Sequence, residues 1–328
     1  MITGTVSQAV GQTPLIKIKS LSEMTGCEIY GKAEFLNPGG SVKDRAALGI
    51  IDRAEQQGLL KPGWTIIEGT AGNTGIGLAT VAAQRGYKCI IVMPNNQAQE
   101  KYDTLKALGV ELVTVAPVPF ANENHFYHTA RRMAEQKAES FWANQFENTA
   151  NFESHFKTTG PEIWEQTEGK VDVFVSAVGT GGTMAGVSKF LKSKNPNVFV
   201  LLADPFGSGM YSYVKIGQIL STGSSITEGI GIMRITANFK EAVIDDAIQI
   251  SDSDMISMLY HLAKHDGLLV GTSAALNVCA AFQTARKNLN SGKTIVTMLC
   301  DSATRYQSKI FNETFLNERS LKPLPISI

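Results

Sequence analysis

The chain has 328 residues, 43% of them hydrophobic, and 30 basic residues balance 30 acidic ones for a formal net charge of zero. That length accommodates two domains or one large α/β unit, and the charge balance argues against a nucleic-acid partner on the scale of the whole molecule. No apolar run approaches the ~20 residues that span a bilayer, and residues 1–12 lack the basic and apolar regions of a signal peptide, so a cytoplasmic protein without a membrane partner is expected.

In chain order, Gly11-Gln12-Thr13-Pro14 is a turn leading into an alternating strand at 15–18, and a second strand runs over 27–34. Next comes Asn37-Pro38-Gly39-Gly40-Ser41-Val42-Lys43-Asp44-Arg45. The Pro-Gly-Gly turn breaks regular structure. Asp44 and Arg45 then open a helix with Leu48, Ile51 and Ala54 on one face and Gly58 as its stop. A lysine at such a rigid junction can be held in a pocket, where its amine forms a Schiff base with an aldehyde. The ordinary alternative is a solvated lysine in a surface turn.

Strands at 65–67, 88–93 and 111–115 then alternate with helices at 74–84, 99–108 and 125–137, and Gly86 and Gly109 stop the first two helices. A helix at 152–166, a strand at 171–178, a helix at 183–194 and a strand at 198–203 continue the rhythm. It implies parallel sheets covered by helices. Residues 205–225 dissolve into Gly, Ser and Tyr and read as a long loop over a site. A second glycine-rich turn, Glu228-Gly229-Ile230-Gly231, precedes helices at 252–265 and 273–288 and a last strand at 294–299.

Three loops carry candidate chemistry. Glu68-Gly69-Thr70-Ala71-Gly72-Asn73-Thr74-Gly75 joins a strand to a helix, where backbone N–H groups can take a carboxylate; otherwise it is a turn with Asn73 as N-cap. Gly179-Thr180-Gly181-Gly182-Thr183 reads as a cradle for one phosphate, and no lysine follows at the P-loop position. Gly179, Gly186 and Asp204 imitate a dinucleotide fingerprint with its third glycine misplaced. Cys300-Asp301-Ser302-Ala303-Thr304-Arg305-Tyr306 ends the last strand, as a site or as a helix cap. The five histidines lie in helical patterns; His261 and His265 are four apart and could share a metal, but the Glu of an HExxH motif is missing, and the four separated cysteines form neither a CxxC nor a Cys/His pair at ligand spacing, so no metal is expected and the thiols read as buried and reduced.

Together these loops resemble the cysteine synthase (O-acetylserine sulfhydrylase) family of fold-type-II enzymes that use pyridoxal 5′-phosphate (PLP), over nearly the whole chain. The resemblance implies an α/β fold of two three-layer α/β/α domains with mostly parallel twisted sheets, similar to the tryptophan synthase β chain. Residues 43–150 would be a smaller mobile substrate-binding domain, and 1–42 plus 151–328 the larger PLP-binding one. It implies that Lys43 is the catalytic Schiff-base lysine, that Gly179, Thr180, Gly181, Gly182 and Thr183 cradle the phosphate, that Asn73 bonds the phenolic oxygen, and that Ser302 faces the pyridine nitrogen. Thr70, Ala71, Gly72, Asn73, Thr74, Gln145 (through Asn144-Gln145-Phe146) and Gly229 would line the substrate site. A neutral hydroxyl on the ring nitrogen makes a weaker electron sink than an aspartate would, favouring elimination at Cβ over transamination. The implied activity is L-cysteine formation from O-acetyl-L-serine and sulfide through an aminoacrylate, by a homodimer. The alternative is another PLP β-reaction, such as cysteine desulfhydration or a cystathionine β-synthase-like replacement. Ala71 departs from the serine usual in the family, and Ala303 from the usual glycine.

Overall fold

The computed structural model describes residues 4–327, so residues 1–3 of the N-terminal stretch and residue 328 lie outside it. Ten strands among the described residues form two sheets. The first contains β1 (Leu15–Lys17), β2 (Glu28–Ala33), β7 (Val173–Ala177), β8 (Phe199–Pro205), β9 (Asp246–Ile250) and β10 (Thr294–Leu299), in the order β1-β2-β10-β7-β8-β9. Only β1 in it runs antiparallel to its neighbour. The second contains β3 (Thr65–Gly69), β4 (Lys88–Pro94), β5 (Glu111–Val115) and β6 (Ser140–Trp142), all parallel, in the order β5-β4-β3-β6.

Alternation along each strand builds a core on each face of each sheet, the pattern of parallel sheets buried on both sides. In the smaller sheet Ile66, Ile91 and Met93 join one core while Ile67, Ile90 and Val92 join the other. In the larger, Val173, Val175 and Ile295 face one core and Phe174, Val296 and Met298 the opposite one. Each fully buried aliphatic side chain contributes about 1.5–3 kcal/mol. The α/β class and the two three-layer units expected from the sequence are present.

Four features differ from the sequence reading. The helix expected at 152–166 is two, Ala150–Lys157 and Thr159–Gln166, hinged at Thr158 with φ −126° and ψ −66°. Pro161 has no N–H for the Lys157 carbonyl, and its ring disfavours continuing the helix. Strands β6 and β9 and the helix Lys19–Thr25 were not expected; both strands are short sheet edges. Asn73 does not cap its helix; Gly72 sits at the cap position with φ +129°. Finally, the region 205–225 is not a loop over a site. It contains the helix Met210–Ile216, and none of its residues lines the main cleft.

Candidate active site

The sheets meet at a cleft whose walls are the carboxyl ends of β3 and β7 and the turn 228–232, where open α/β sheets bind ligands. Lys43, Asn73, Gly179, Thr180, Gly181, Thr183 and Gly229 all line it. Gly182 opens the helix behind the cradle. Lys43 is the first residue of the helix Lys43–Gln56 and is partly exposed. Its turn is held from below: Asp44 accepts from the Gly39 N–H at 2.5 Å. Burial pushes the Asp44 carboxyl up to about 7, against the pull of that bond and of Arg305.

The segment 179–183 has the shape of an anion cradle. Gly181, with φ +92°, precedes the first turn of the helix Gly182–Lys194, whose N–H groups point outward. A Cβ on Gly179 would collide with the Gly229 carbonyl, and one on Gly182 with the Asn151 amide. Packing thus leaves no room for a side chain at either position, and only backbone is present there. Asn151 donates to Thr180 Oγ1 at 2.8 Å and to the Gln145 carbonyl at 2.9 Å. His155, which sequence reading left aside, lies between Thr159 Oγ1 at 2.8 Å and Thr183 Oγ1 at 3.2 Å. Burial, then the charges of Arg45 and Lys43, hold its pKa well below the usual range, so the ring is neutral. These donors fit a phosphate group of the kind PLP carries, and Lys43 on the same cleft fits its aldehyde.

On the other wall, Thr70 Oγ1 accepts from Gly72 N–H at 3.0 Å, and Thr74 Oγ1 donates to Gln145 Oε1 at 2.5 Å. Gln145 Nε2 donates to Glu68 Oε1 at 3.1 Å and to the Gly69 carbonyl at 3.2 Å. Burial pushes the Glu68 carboxyl up to about 8 despite those bonds. Thr74 and Gln145 thus brace the loop and each other, while the Thr70 hydroxyl and the N–H groups starting the helix Asn73–Arg85 supply donors at the cleft. Ala71 and Gly72 complete this wall. The stem of Lys101 packs where a Gly72 side chain would be. Its ammonium pairs at 2.5 Å with Glu228, which also holds Lys309.

Two expected residues are elsewhere. Ser302 caps the short 3-10 turn Ala303–Arg305, its Oγ accepting from Thr304 N–H at 3.2 Å, and it does not line the cleft. Ser176 and Ser273 do line it, Ser273 from near the start of the helix Thr272–Arg286. Its signal was Gly271-Thr272-Ser273, the same glycine-then-hydroxyl pattern as the other loops, but with only an isolated bridge before it. Asp204, the acid a dinucleotide site would need, is buried and accepts from Tyr211 N–H at 2.8 Å, away from the cleft. The dinucleotide reading loses its ribose contact.

The four cysteines are free; Cys27, Cys89 and Cys279 are buried and Cys300 partly so. Cys300 lines the cleft, and burial pushes its thiol up to about 11 and that of Cys89 to about 12. Among the described residues no helix is long and apolar enough to cross a membrane, and no group of three or more His, Cys, Asp or Glu is placed to hold a metal.

The family described as "Pyridoxal-phosphate dependent enzyme" matches residues 6–301. Cysteine synthase 1 of Neurospora crassa is 53% identical, the match covering 95% of this chain and 84% of that protein. Cysteine synthase 1 of Emericella nidulans is 51% identical, covering 97% and 87%. A hydrogen sulfide-producing enzyme from Fusobacterium nucleatum, known from its crystal structure, superposes with a TM-score of 0.85 at 34% identity, covering 93% of this chain and 100% of that one.

Proposed function

Because this chain belongs to the pyridoxal-phosphate dependent enzyme family, we propose that it forms L-cysteine from O-acetyl-L-serine and sulfide by replacement at Cβ. The observation that carries the reading is Lys43 lining one cleft with the 179–183 cradle and the Thr70–Thr74 loop. When bound, PLP supplies the electron sink that lets the substrate Cα proton leave and acetate depart from Cβ. Lys43 would hold its aldehyde carbon, Gly179 to Thr183 its phosphate, Asn73 its phenolic oxygen and Ser273 its ring nitrogen.

The remaining roles fall to the chain's own groups. The Thr70 hydroxyl and the N–H groups at Asn73 and Thr74 bind and orient the substrate carboxylate. Thr74 and Gln145 keep that loop in place. The Lys43 amine moves the proton at Cα. It suits that task because the Lys43 amine has no hydrogen-bonded partner among the described residues, whereas the other cleft lysine, Lys101, is tied to Glu228. The hydroxyl of Ser273, unlike an acid, leaves the ring nitrogen unprotonated, which supports loss of a Cβ leaving group over transamination.

We read residues 43–150 as the smaller, mobile unit, which carries the carboxylate loop and on closing excludes water, and the protein as a cytoplasmic homodimer. Light scattering tests the assembly. Absorption spectroscopy tests the reaction. The visible band of the bound cofactor should shift on adding O-acetyl-L-serine and return on adding sulfide, with cysteine as product. A band indifferent to O-acetyl-L-serine, with sulfide released from cysteine alone, would move the assignment to desulfhydration.

A further inference from the structure

Asn73 faces the cleft on one side and, on the other, two residues from the far end of the chain. Its Nδ2 donates to Asp301 Oδ2 at 2.6 Å, and its Oδ1 accepts from Arg305 Nη1 at 2.5 Å. Asp301 Oδ2 also accepts from the Tyr306 hydroxyl at 2.5 Å. Arg305 Nη2 donates to the Gly39 carbonyl in the turn that precedes Lys43. Asp301 and Arg305 are both buried. Gly40, at φ +76°, leaves room for the guanidinium, because a Cβ there would lie 2.8 Å from Arg305 Nη2.

An asparagine amide looks nearly the same either way round, yet its two ends do opposite things: one accepts, the other donates two hydrogens. Here the choice is forced. A guanidinium only donates, so the end facing Arg305 is oxygen. Asp301 Oδ2 already takes the Tyr306 proton and accepts, so the end facing it is nitrogen. A flipped amide would set N–H against N–H and oxygen against carboxylate. With Oδ1 occupied and one Nδ2 hydrogen spent on Asp301, one hydrogen remains for the cleft.

We propose that Asp301 and Arg305 are positioning residues that make Asn73 an obligate hydrogen-bond donor to the cofactor's phenolic oxygen; this rests on the reading of Asn73 given above. A donor there favours the ionised oxygen, whereas a flipped amide would favour the protonated one.

The test uses the PLP-loaded protein with Asn73→Ala, Arg305→Gln, Arg305→Lys and the double variant Asn73→Ala/Arg305→Gln. Two quantities are read: the ratio of the cofactor's visible to near-ultraviolet absorbance, and its rate of release to a trap. Asn73→Ala and Arg305→Gln should each lower the ratio and speed release by roughly five- to tenfold, the scale of one hydrogen bond. The double variant should be no worse than Asn73→Ala, because Arg305 acts through that amide. Arg305→Lys, which cannot reach both Asn73 and Gly39, should fall between wild type and Arg305→Gln, and it replaces that variant if the latter fails to fold. Additive effects, or Arg305 variants that lower thermal stability without moving the ratio, would overturn the proposal. If Asn73→Ala itself leaves the ratio unchanged, the reading of Asn73 is wrong and the proposal falls with it, a separate and recognisable outcome.

Discussion

Glu162→Gln tests the ion network beneath the helix that carries Lys43. Glu162 accepts from Arg45 at 2.6 and 2.7 Å and from Lys32 at 2.6 Å. Arg45, two residues after Lys43, also holds Glu34 at 2.8 Å. Burial pushes the Glu162 carboxyl up, but the hydrogen bonds and charge of Arg45, then of Lys32, pull it down to about 2 from 4.5. That fall corresponds to about 3 kcal/mol. Lys32 tells the opposite story: burial holds its pKa below the ordinary range in spite of Glu162. Glu162→Gln removes the carboxylate itself, so the shift of that carboxylate sets the size of the effect. The folded-state pKa is depressed, so this stability is fully present above pH 4.5 and is lost as pH falls toward about 2. Urea unfolding of wild type and variant should therefore differ by about 3 kcal/mol at neutral pH, with the gap closing on acidification. A gap below about 1 kcal/mol, or one that does not change with pH, would refute the account.

The cradle predicts that Gly182→Ala, whose methyl would displace the Asn151 amide, retains at least roughly tenfold less PLP through gel filtration, read as cofactor per chain. Thr74→Val removes the donor to Gln145 Oε1 while keeping shape. It should raise the KM for O-acetyl-L-serine about fivefold with little change in kcat. Glu68 is perturbed in the opposite sense to Glu162. Its carboxyl is raised to about 8 from 4.5, so the protein loses stability as pH climbs between those values. Denaturation midpoints should fall across that window, and Glu68→Gln should flatten the fall by roughly 2 kcal/mol or more. An unchanged slope would show that Glu68 is ionised throughout.

Lys43 and the 179–183 cradle were legible because their chemistry is local: glycines, hydroxyls and a lysine next to one another at strand-to-helix junctions. Strands β6 and β9 were not, since three and five residues at a sheet edge carry little periodicity. Ser273 carried no comparable signal, because Gly271-Thr272-Ser273 follows only an isolated bridge at Val270 rather than a strand, whereas Ser302 follows the last apolar strand. The bonds that orient the site were out of reach altogether. Asn73 meets Asp301 across 228 positions, and Lys32 meets Glu162 across 130. No spacing rule joins such pairs before the chain is folded.

The buried thiols have a consequence for a protein that handles sulfide. Sulfhydryl chemistry needs the thiolate, and because burial pushes the Cys300 thiol up to about 11 beside the cleft, little of it is ionised at neutral pH. Asn277 donates to the same sulfur at 3.5 Å, keeping it turned to the helix behind. A disulfide reaching the cleft would therefore meet a thiol that exchanges slowly.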